Sequence, residues 1–357
     1  MAADIDKLIA GFEAAAAGAP DFAFKLVGLA ETVALARAPA RAAALAHRAT
    51  AEAPDDPAVR MRARRLLGAL LPGYHVPMMN DARRNAAWDA ALRAAIRPGM
   101  LVFEIGTGAG MLALMAARAG AEVVTCEINL PAAAMARELA AANGLADRIH
   151  VIEGNSRDVR VGEGLARRAD LLVCDIFGDE LLDFDPLPLI ADARERLLAQ
   201  GAPSIPRAVG LQVALARWDD WPRTGRIDEA AGFDLRAFAD FVPAAVRRPV
   251  DVAGLDLLSD GAEALRFDLA APPRASAERS RFTIEAQADG KADTLARWIR
   301  LELDGERMLE ARPEPGGTFF SGLTLTPLDA PIPVAVGQRL QGGAFRNGRA
   351  IDTWIEA

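Results

Sequence analysis

Three glycines at alternate positions lie between a short apolar run and a helical one. The run Leu101–Phe103 is typical of a buried strand, and Gly106, Gly108 and Gly110 follow it in the spacing G-x-G-x-G. Because glycine has no Cβ, such a loop can turn sharply from strand to helix and let a ligand approach the backbone. The loop therefore predicts a nucleotide site, although any tight strand–helix turn has similar glycines.

Two acidic residues beside this loop indicate which nucleotide it binds. Glu127 ends the next apolar run, about 20 residues after the first glycine, where an acid can accept hydrogen bonds from both ribose hydroxyls. Glu104 precedes Gly106, where it would repel a pyrophosphate but could accept the amino group of an amino-acid-bearing nucleotide. Met111 stands where the dinucleotide fingerprint needs a glycine. The pattern favours S-adenosylmethionine over NAD.

The elements that must position these residues alternate along the middle of the chain. Apolar runs at Val123–Cys126, Ile149–Ile152 and Leu171–Cys174 are separated by helical stretches. This alternation predicts an α/β fold with a doubly wound, Rossmann-like parallel sheet over residues 73–206. Asp175 directly follows the last run, at the carboxyl end of a strand, where open α/β sheets place their ligands.

Different patterns flank this region on both sides. Residues 1–72 are rich in Ala and Leu, with apolar residues at helical spacing, and predict a helical extension. The stretch Arg41–Leu71 resembles one tetratricopeptide hairpin, but any helical pair gives the same pattern. Residues 207–357 alternate apolar and polar side chains and contain hairpin signals at Asp304-Gly305 and Asn347-Gly348. They predict an antiparallel β-barrel or sandwich.

Charge and composition exclude several function classes. The 357 residues include 41 Lys and Arg against 49 Asp and Glu, and this net charge of −8 disfavours a nucleic-acid binder but suits a cationic substrate. The two cysteines, Cys126 and Cys174, cannot build a disulfide framework and are expected to be core thiols. The histidines lack ligand spacing, so no metal is expected. With no signal peptide or membrane-spanning stretch visible, we expect a cytoplasmic protein.

A helical segment before the glycine loop reproduces a second pattern, Met-Leu-x-Asp-x-x-Arg-Asn. The matching residues are Met78, Met79, Asp81, Arg84 and Asn85. With the loop that follows, this segment resembles the protein arginine methyltransferase family, and the likeness covers about residues 74–357. The resemblance implies that Arg84 binds the carboxylate of S-adenosylmethionine, because an arginine can form a paired fork to a carboxylate. It also implies that Met79 flanks the sulfonium methyl.

The resemblance continues after the loop through Asn143–Ile149 and Val151–Ser156. It implies that Asn155 and Ser156 contact the adenine, although Arg157 stands where many members have an adenine-binding Glu. His75 lies just before the segment that binds the cofactor; it either borders the cofactor pocket or is an ordinary core or surface histidine.

The acceptor region departs from the family pattern at two places. Family members hold the target guanidinium between two Glu of a hairpin loop, and here Asp175 stands at the first position and Phe184 at the second. Glu180 lies between them, so Asp175 and Glu180 are the predicted catalytic residues. The family's Thr-His-Trp loop corresponds to Thr318-Phe319-Phe320, which replaces its histidine by Phe319. An acidic surface loop with ordinary capping is the alternative interpretation.

These features predict an S-adenosylmethionine-dependent methyltransferase that acts on a nitrogen nucleophile held by an acidic loop. The acceptor is a protein or a small molecule, with no nucleic acid or membrane involved. One alternative is a methyltransferase for lysine or a small molecule. Another is a non-catalytic, cofactor-binding protein whose N-terminal helices dock a partner. By resemblance, a homodimer formed through a helical arm is also expected.

Overall fold

The computed structural model describes residues 2–35, 38–221, 227–273, 276–314 and 321–356. Helices come first, a parallel sheet covered by helices follows, and antiparallel strands make up the rest. The predicted fold class, a Rossmann-like region followed by an antiparallel region with an N-terminal helical extension, is confirmed.

The first four helices share an apolar core of their own, centred on α2 and α3. Asp56 caps α4, and its carboxylate accepts the backbone N–H groups of Ala58 and Val59 at 2.8 and 3.2 Å. The group packs on the sheet region through α3. The four helices are α1 (Ala2–Ala16), α2 (Phe22–Leu35), α3 (Pro39–Glu52) and α4 (Pro57–Leu70).

Continuous apolar runs form the parallel sheet, as expected for strands that helices cover on both faces. Its order is β3-β2-β1-β4-β5, so the chain leaves β1 toward one edge and returns to its other side with β4. The crevice at such a switch point is where doubly wound sheets bind ligands. The strands are β1 (Leu101–Ile105), β2 (Glu122–Glu127), β3 (Ile149–Glu153), β4 (Leu171–Cys174) and β5 (Ser204–Ile205).

Five helices accompany this sheet, and two of them precede β1. Asp81 caps the second of these, where its carboxylate accepts the backbone N–H of Arg84 at 2.9 Å. The helices are α5 (His75–Asn80), α6 (Ala82–Ala95), α7 (Met111–Arg118), α8 (Leu130–Ala142) and α9 (Pro186–Arg196). Within the described ranges, no helix is both long and apolar enough to cross a membrane.

The antiparallel region, residues 208–356, is called the β domain below. Its larger sheet is built around two long neighbours, β6 (Ala208–Trp218) and β13 (Gly290–Glu302). The remaining strands are β7 (Glu229–Ala230), β8 (Phe233–Asp234), β9 (Val246–Arg248), β10 (Leu255–Leu257), β11 (Ala262–Asp268), β12 (Ala277–Glu285), β14 (Met308–Glu310), β15 (Leu323–Val334), β16 (Arg339–Asn347) and β17 (Ala350–Ile355).

Both expected hairpin signals lie between antiparallel partners. Asp304-Gly305 lies between β13 and β14, and Asn347-Gly348 lies at the turn from β16 into β17. Ser204 belongs to β5 and therefore still to the parallel sheet, and β6 starts the β domain at Ala208. Closure of the β domain into a barrel stays a prediction.

Candidate cofactor and acceptor site

The glycine loop packs tightly at each of its three glycines. Gly106 has φ +85°, and a Cβ there would collide with the Ile176 side chain. Gly110 has φ +86° at the start of α7, where a Cβ would lie 3.1 Å from the Cβ of Ala136. The backbone N–H of Gly106 donates to the Cys126 carbonyl at 3.0 Å, which ties the loop to β2. These contacts give the loop its narrow turn.

Glu127 ends β2 and faces this loop. One of its carboxylate oxygens accepts the Gly108 N–H at 2.8 Å, and the other accepts the Asn129 N–H at 2.7 Å. Each oxygen keeps a further lone pair for another donor. The arrangement leaves Glu127 able to receive ribose hydroxyls, and that role stays a prediction.

Arg84 and Asp175 form a buried ion pair. Nη2 of Arg84 donates a hydrogen bond to Oδ2 of Asp175 at 2.5 Å. The side chains of Arg84 and Asp175 are only 2% and 5% exposed. Nη1 of Arg84 donates to the Asn85 side chain at 3.1 Å. The sequence assigned Arg84 to the cofactor and Asp175 to the acceptor, and the structure brings the two residues into direct contact.

Glu104 lies buried beside this pair. Burial raises the pKa of its carboxyl to about 8; the nearby charges of Glu127 and Asp175 act in the same direction, while a Thr125 hydrogen bond and the charge of Arg84 oppose them. One Glu104 oxygen has no polar partner among the described residues. We call Arg84, Glu104, Glu127 and Asp175 the Arg84 cluster. It holds three carboxyl groups and one guanidinium, which suits a ligand bearing positive charge and one carboxylate.

The raised pKa of Glu104 predicts that cofactor binding depends on pH. Glu104 is largely protonated below about pH 8 in the free protein, whereas a ligand ammonium beside it favours the carboxylate. Binding then releases a proton, so affinity for S-adenosylhomocysteine should rise between pH 6 and 8, by up to about tenfold per unit. Calorimetry in buffers of different ionisation enthalpy measures both the affinity and the proton release.

Glu104→Gln is the matched control, since it keeps the shape and cannot ionise. Any remaining pH dependence in this variant belongs to the cofactor or to other groups. Wild-type affinity that is equal at pH 6 and 8, with no proton released, would contradict the role given to Glu104.

Helix α5 covers the glycine loop. A Cβ on Gly108 would lie 3.1 Å from Cε1 of His75. The His75 ring is buried, and its centroid lies 4.5 Å from that of Tyr74, with the two rings tilted by 35°. Burial lowers the pKa of His75, and burial with the charges of Glu127 and Asp175 raises the pKa of Tyr74. His75 therefore contacts the glycine loop, and its place at the border of a cofactor pocket stays a prediction. Met79 follows on the same helix, and its carbonyl accepts the Asn85 side chain at 2.8 Å.

Asn155 and Ser156 follow β3, next to the strand that ends at Glu127. The Asn155 side chain accepts the Arg157 N–H at 3.0 Å, and Ser156 is buried, with no polar partner for its Oγ in the described chain. A buried hydroxyl without a partner suits contact with a ligand. Their contact with adenine, like that of Met79 with the sulfonium methyl, stays a prediction.

The acidic loop after β4 is bound to the β domain through most of its carboxylates. Glu180 accepts Arg297 Nη2 at 3.1 Å and also the Thr324 hydroxyl. A separate set of contacts fixes the neighbouring acids: Asp179 accepts the Gly322 N–H at 2.7 Å, and Asp183 accepts Arg247 Nη2 at 3.1 Å. Asp175 therefore lies in the Arg84 cluster, while Glu180 lies in an anchoring contact. A catalytic role for Glu180 stays a prediction.

Of the two altered acceptor positions, only Phe184 lies within the described residues. The Phe184 side chain is 55% exposed at the end of the loop. Thr318, Phe319 and Phe320 lie outside the described residues. Within the described ranges, no group of three or more His, Cys, Asp or Glu residues could hold a metal ion.

Known proteins are similar to this chain in sequence and in fold. A protein-family model described as ribosomal protein L11 methyltransferase (PrmA) matches residues 90–200. The arginine N(omega)-methyltransferase of Streptomyces achromogenes subsp. streptozoticus is 35% identical over 274 residues, 76% of this chain and 75% of that protein. Protein arginine N-methyltransferase 7 of Drosophila melanogaster is 31% identical over 269 residues, 66% of this chain but only 37% of that protein.

A solved structure with the same fold is the Trypanosoma brucei PRMT1 enzyme-prozyme heterotetrameric complex with AdoHcy. It superposes with a TM-score of 0.68 at 23% identity, over 79% of this chain and 91% of that one. The fold and the relatives together define an S-adenosylmethionine-dependent methyltransferase. Within that class, the chain belongs to the arginine N-methyltransferase family.

Proposed function

We propose that this chain transfers a methyl group from S-adenosylmethionine to a terminal guanidinium nitrogen of arginine, with Asp175 holding the guanidinium. The observation that carries the proposal is the Arg84 cluster, which gathers three carboxyl groups and one arginine at the carboxyl ends of β1, β2 and β4. Such a site binds a cofactor that carries both charges and leaves an acid for a cationic acceptor.

The cluster fits the cofactor part by part. Glu104 would accept the ammonium, Arg84 the carboxylate and Glu127 the ribose hydroxyls, while Gly106, Gly108 and Gly110 allow close approach. Beyond them, Met79 would border the reacting methyl, and the adenine would lie toward Asn155 and Ser156. When bound, the cofactor supplies a methyl group on a cationic sulfur.

The chain's own contribution is positioning and exclusion of water. A guanidinium attacks well only when its nitrogen is held in line with the methyl group, and orientation supplies much of the rate. Oδ1 of Asp175 is buried and has no polar partner in the described chain, so it can accept a guanidinium N–H. After transfer, the same carboxylate can receive or pass on the proton that the nitrogen loses.

The acceptor arginine can be a free amino acid or a residue of a protein, and the relatives' names include both. One relative is named for arginine and another for protein arginine. In this chain Glu180 is bound to Arg297, and Phe184 stands at the second acid position. A guanidinium held by one acid beside an apolar wall gains at most a cation–π contact of about 0.5–2 kcal/mol there. We propose a narrower acceptor than a generic peptide, with free arginine as the leading small molecule.

Turnover of labelled cofactor tests the acceptor directly. We expect transfer to free L-arginine or to one species of a bacterial lysate, and at least about tenfold slower transfer to an Arg-Gly-rich peptide, since one acid replaces a two-sided grip. Mass spectrometry of the labelled product identifies the modified atom. Efficient dimethylation of the Arg-Gly peptide would contradict the narrow acceptor, and a labelled lysine would favour the alternative acceptor.

We also propose a homodimer formed through the segment after β6. Three large aromatic side chains are exposed there, Phe233, Phe238 and Phe241, at 70%, 56% and 76%. Exposed apolar groups in this number favour burial against another surface. Light scattering on the intact chain tests the assembly: a monomer at micromolar concentration would contradict it.

A further inference from the structure

Two buried threonines lie between the glycine loop and Glu104. The Oγ1 atoms of Thr107, in the loop, and Thr125, on β2, are 2.6 Å apart, and both residues are almost completely buried. Thr125 is paired with Glu104 in the register of β1 and β2, so these two side chains lie next to each other on one face of the sheet. A hydrogen bond joins the Thr125 hydroxyl to the Glu104 carboxyl. A continuous chain of polar contacts therefore connects the loop with Glu104.

We infer that Thr125 is a positioning residue: supported by Thr107, its hydroxyl holds Glu104 so that one carboxyl oxygen stays free for the cofactor ammonium while the other keeps a hydrogen bond in either protonation state. The inference rests on the proposed function, because it takes the contact between Glu104 and the ammonium from there. It adds two hydroxyl groups to the residues that prepare the site for the cofactor.

The hydrogens of the two hydroxyls can serve both forms of Glu104. A threonine hydroxyl has one hydrogen and two lone pairs, and the hydrogen rotates to suit its neighbours. When Glu104 is a carboxylate, Thr125 donates to it and accepts the hydrogen of Thr107. When Glu104 is protonated, it can donate to Thr125, whose own hydrogen then turns to Thr107. Oε2 of Glu104 has no polar partner among the described residues, so it is left for the ammonium in both cases.

The surroundings of Glu104 make this donor important. The titratable and charged groups near Glu104 come from three elements: Glu127 and Cys126 from β2, Cys174 and Asp175 from β4 and the residue after it, and Arg84 from α6. Of these, Arg84 favours the carboxylate, whereas Glu127 and Asp175 disfavour it. The two thiols stay neutral, because burial raises the pKa of both. A buried carboxylate is costly without partners, so the Thr125 hydroxyl should decide how easily Glu104 ionises.

Thr125→Val tests the inference, because it keeps the shape of the side chain and removes the hydroxyl. The Glu104 carboxylate then loses a donor, so its pKa should rise further above about 8. We expect the variant to bind S-adenosylhomocysteine about tenfold more weakly than the wild type at pH 7, where Glu104 has to lose its proton, and within about twofold at pH 9. Calorimetry measures each affinity, and the ratio between variant and wild type at one pH cancels the titration of the ligand itself.

Four comparisons separate this effect from a change in packing. Thr125→Ser restores the hydroxyl and should return the affinity at pH 7 to within about twofold of the wild type. Thr353→Val removes a buried hydroxyl that has no polar partner in the described chain, and it should change neither affinity. When Glu104→Gln is already present, adding Thr125→Val should give no loss that depends on pH. Affinity for 5′-methylthioadenosine, which has no ammonium, should be the same in the wild type and in Thr125→Val.

The outcomes distinguish failure of this inference from failure of the cofactor site. A loss in Thr125→Val that is equal at pH 7 and 9, or that extends to 5′-methylthioadenosine, would show that Thr125 acts through packing and would overturn the inference. If Glu104→Gln removes the pH dependence of the wild type but Thr125→Val does not shift it, the role of Thr125 alone is wrong. Wild-type binding that is equal at pH 6 and 8, with no proton released, would overturn the assignment of Glu104 and the inference with it.

Discussion

Asp175→Asn should reduce methyl transfer by at least about 100-fold while cofactor binding survives. The amide keeps the shape of the side chain but cannot neutralise a guanidinium or receive its proton. Its position at the end of β4, in contact with Arg84, places the lost charge where the acceptor and the cofactor meet. Turnover of labelled cofactor and affinity for S-adenosylhomocysteine should be measured on the same preparation, so that a folding defect is recognised as loss of both.

Two further variants show whether the effect belongs to Asp175. Asp89→Asn removes an ion-paired carboxylate on α6, outside the Arg84 cluster, and should leave turnover within about twofold. Glu180→Gln keeps one oxygen for Arg297 and offers an amide N–H that the Thr324 hydroxyl can accept. A loss below about tenfold therefore indicates anchoring, whereas a loss like that of Asp175→Asn indicates catalysis. Unchanged turnover in Asp175→Asn would remove this residue from the proposed mechanism.

Local sequence patterns predicted the parallel sheet and the glycine loop because their determinants lie close together along the chain. Strands β1 and β4 are buried at every residue, which explains why their sequences show little alternation. The tight packing of Gly106 against Ile176 has the same origin, since both follow neighbouring strands of the sheet. Such features can be predicted from the spacing of apolar residues and from the strand order that alternating strands and helices imply.

The contacts that define the site could not be predicted in the same way. Arg84 and Asp175 lie 91 positions apart, and Glu180 and Arg297 lie 117 apart, so no local spacing connects either pair. Residues 175–185, which follow β4, contain five acids, and their spacing does not show which partner each one has. Arginines, hydroxyls and backbone N–H groups of the β domain distinguish them, because each acid is stabilised by the donors that tertiary structure brings to it.

The N-terminal helices also contact a neighbour of the predicted ribose acid, which their composition did not indicate. The Asn129 side chain caps α8 by accepting the Ala132 N–H at 3.1 Å, and it donates to the Leu70 carbonyl at the end of α4 at 3.4 Å. The Asn129 backbone N–H is one of the two that hold Glu127. Asn129 therefore connects the helical extension to Glu127, the predicted ribose acid.

Glu127→Ala should lower affinity for S-adenosylmethionine by roughly 10–100-fold, since charge-assisted hydrogen bonds contribute about 1.5–3 kcal/mol. The carboxylate has two tasks in the structure. It accepts the Gly108 and Asn129 N–H groups, which shape the loop, and it has lone pairs left for the ribose. Calorimetry gives the affinity, and the melting temperature shows whether the loop contacts also stabilise the fold.

A pair of nucleosides separates these two tasks of Glu127. The wild type should bind adenosine more tightly than 2′-deoxyadenosine, because the second ligand lacks one hydroxyl for the carboxylate. In Glu127→Ala this preference should disappear, since the acceptor of that hydroxyl is gone. Glu127→Gln is the matched variant: it keeps one acceptor oxygen and should keep part of the preference with a smaller loss of affinity. If Glu127→Ala weakens both nucleosides equally and the preference persists, Glu127 acts through the Gly108 and Asn129 contacts alone, and the ribose must be bound by other residues.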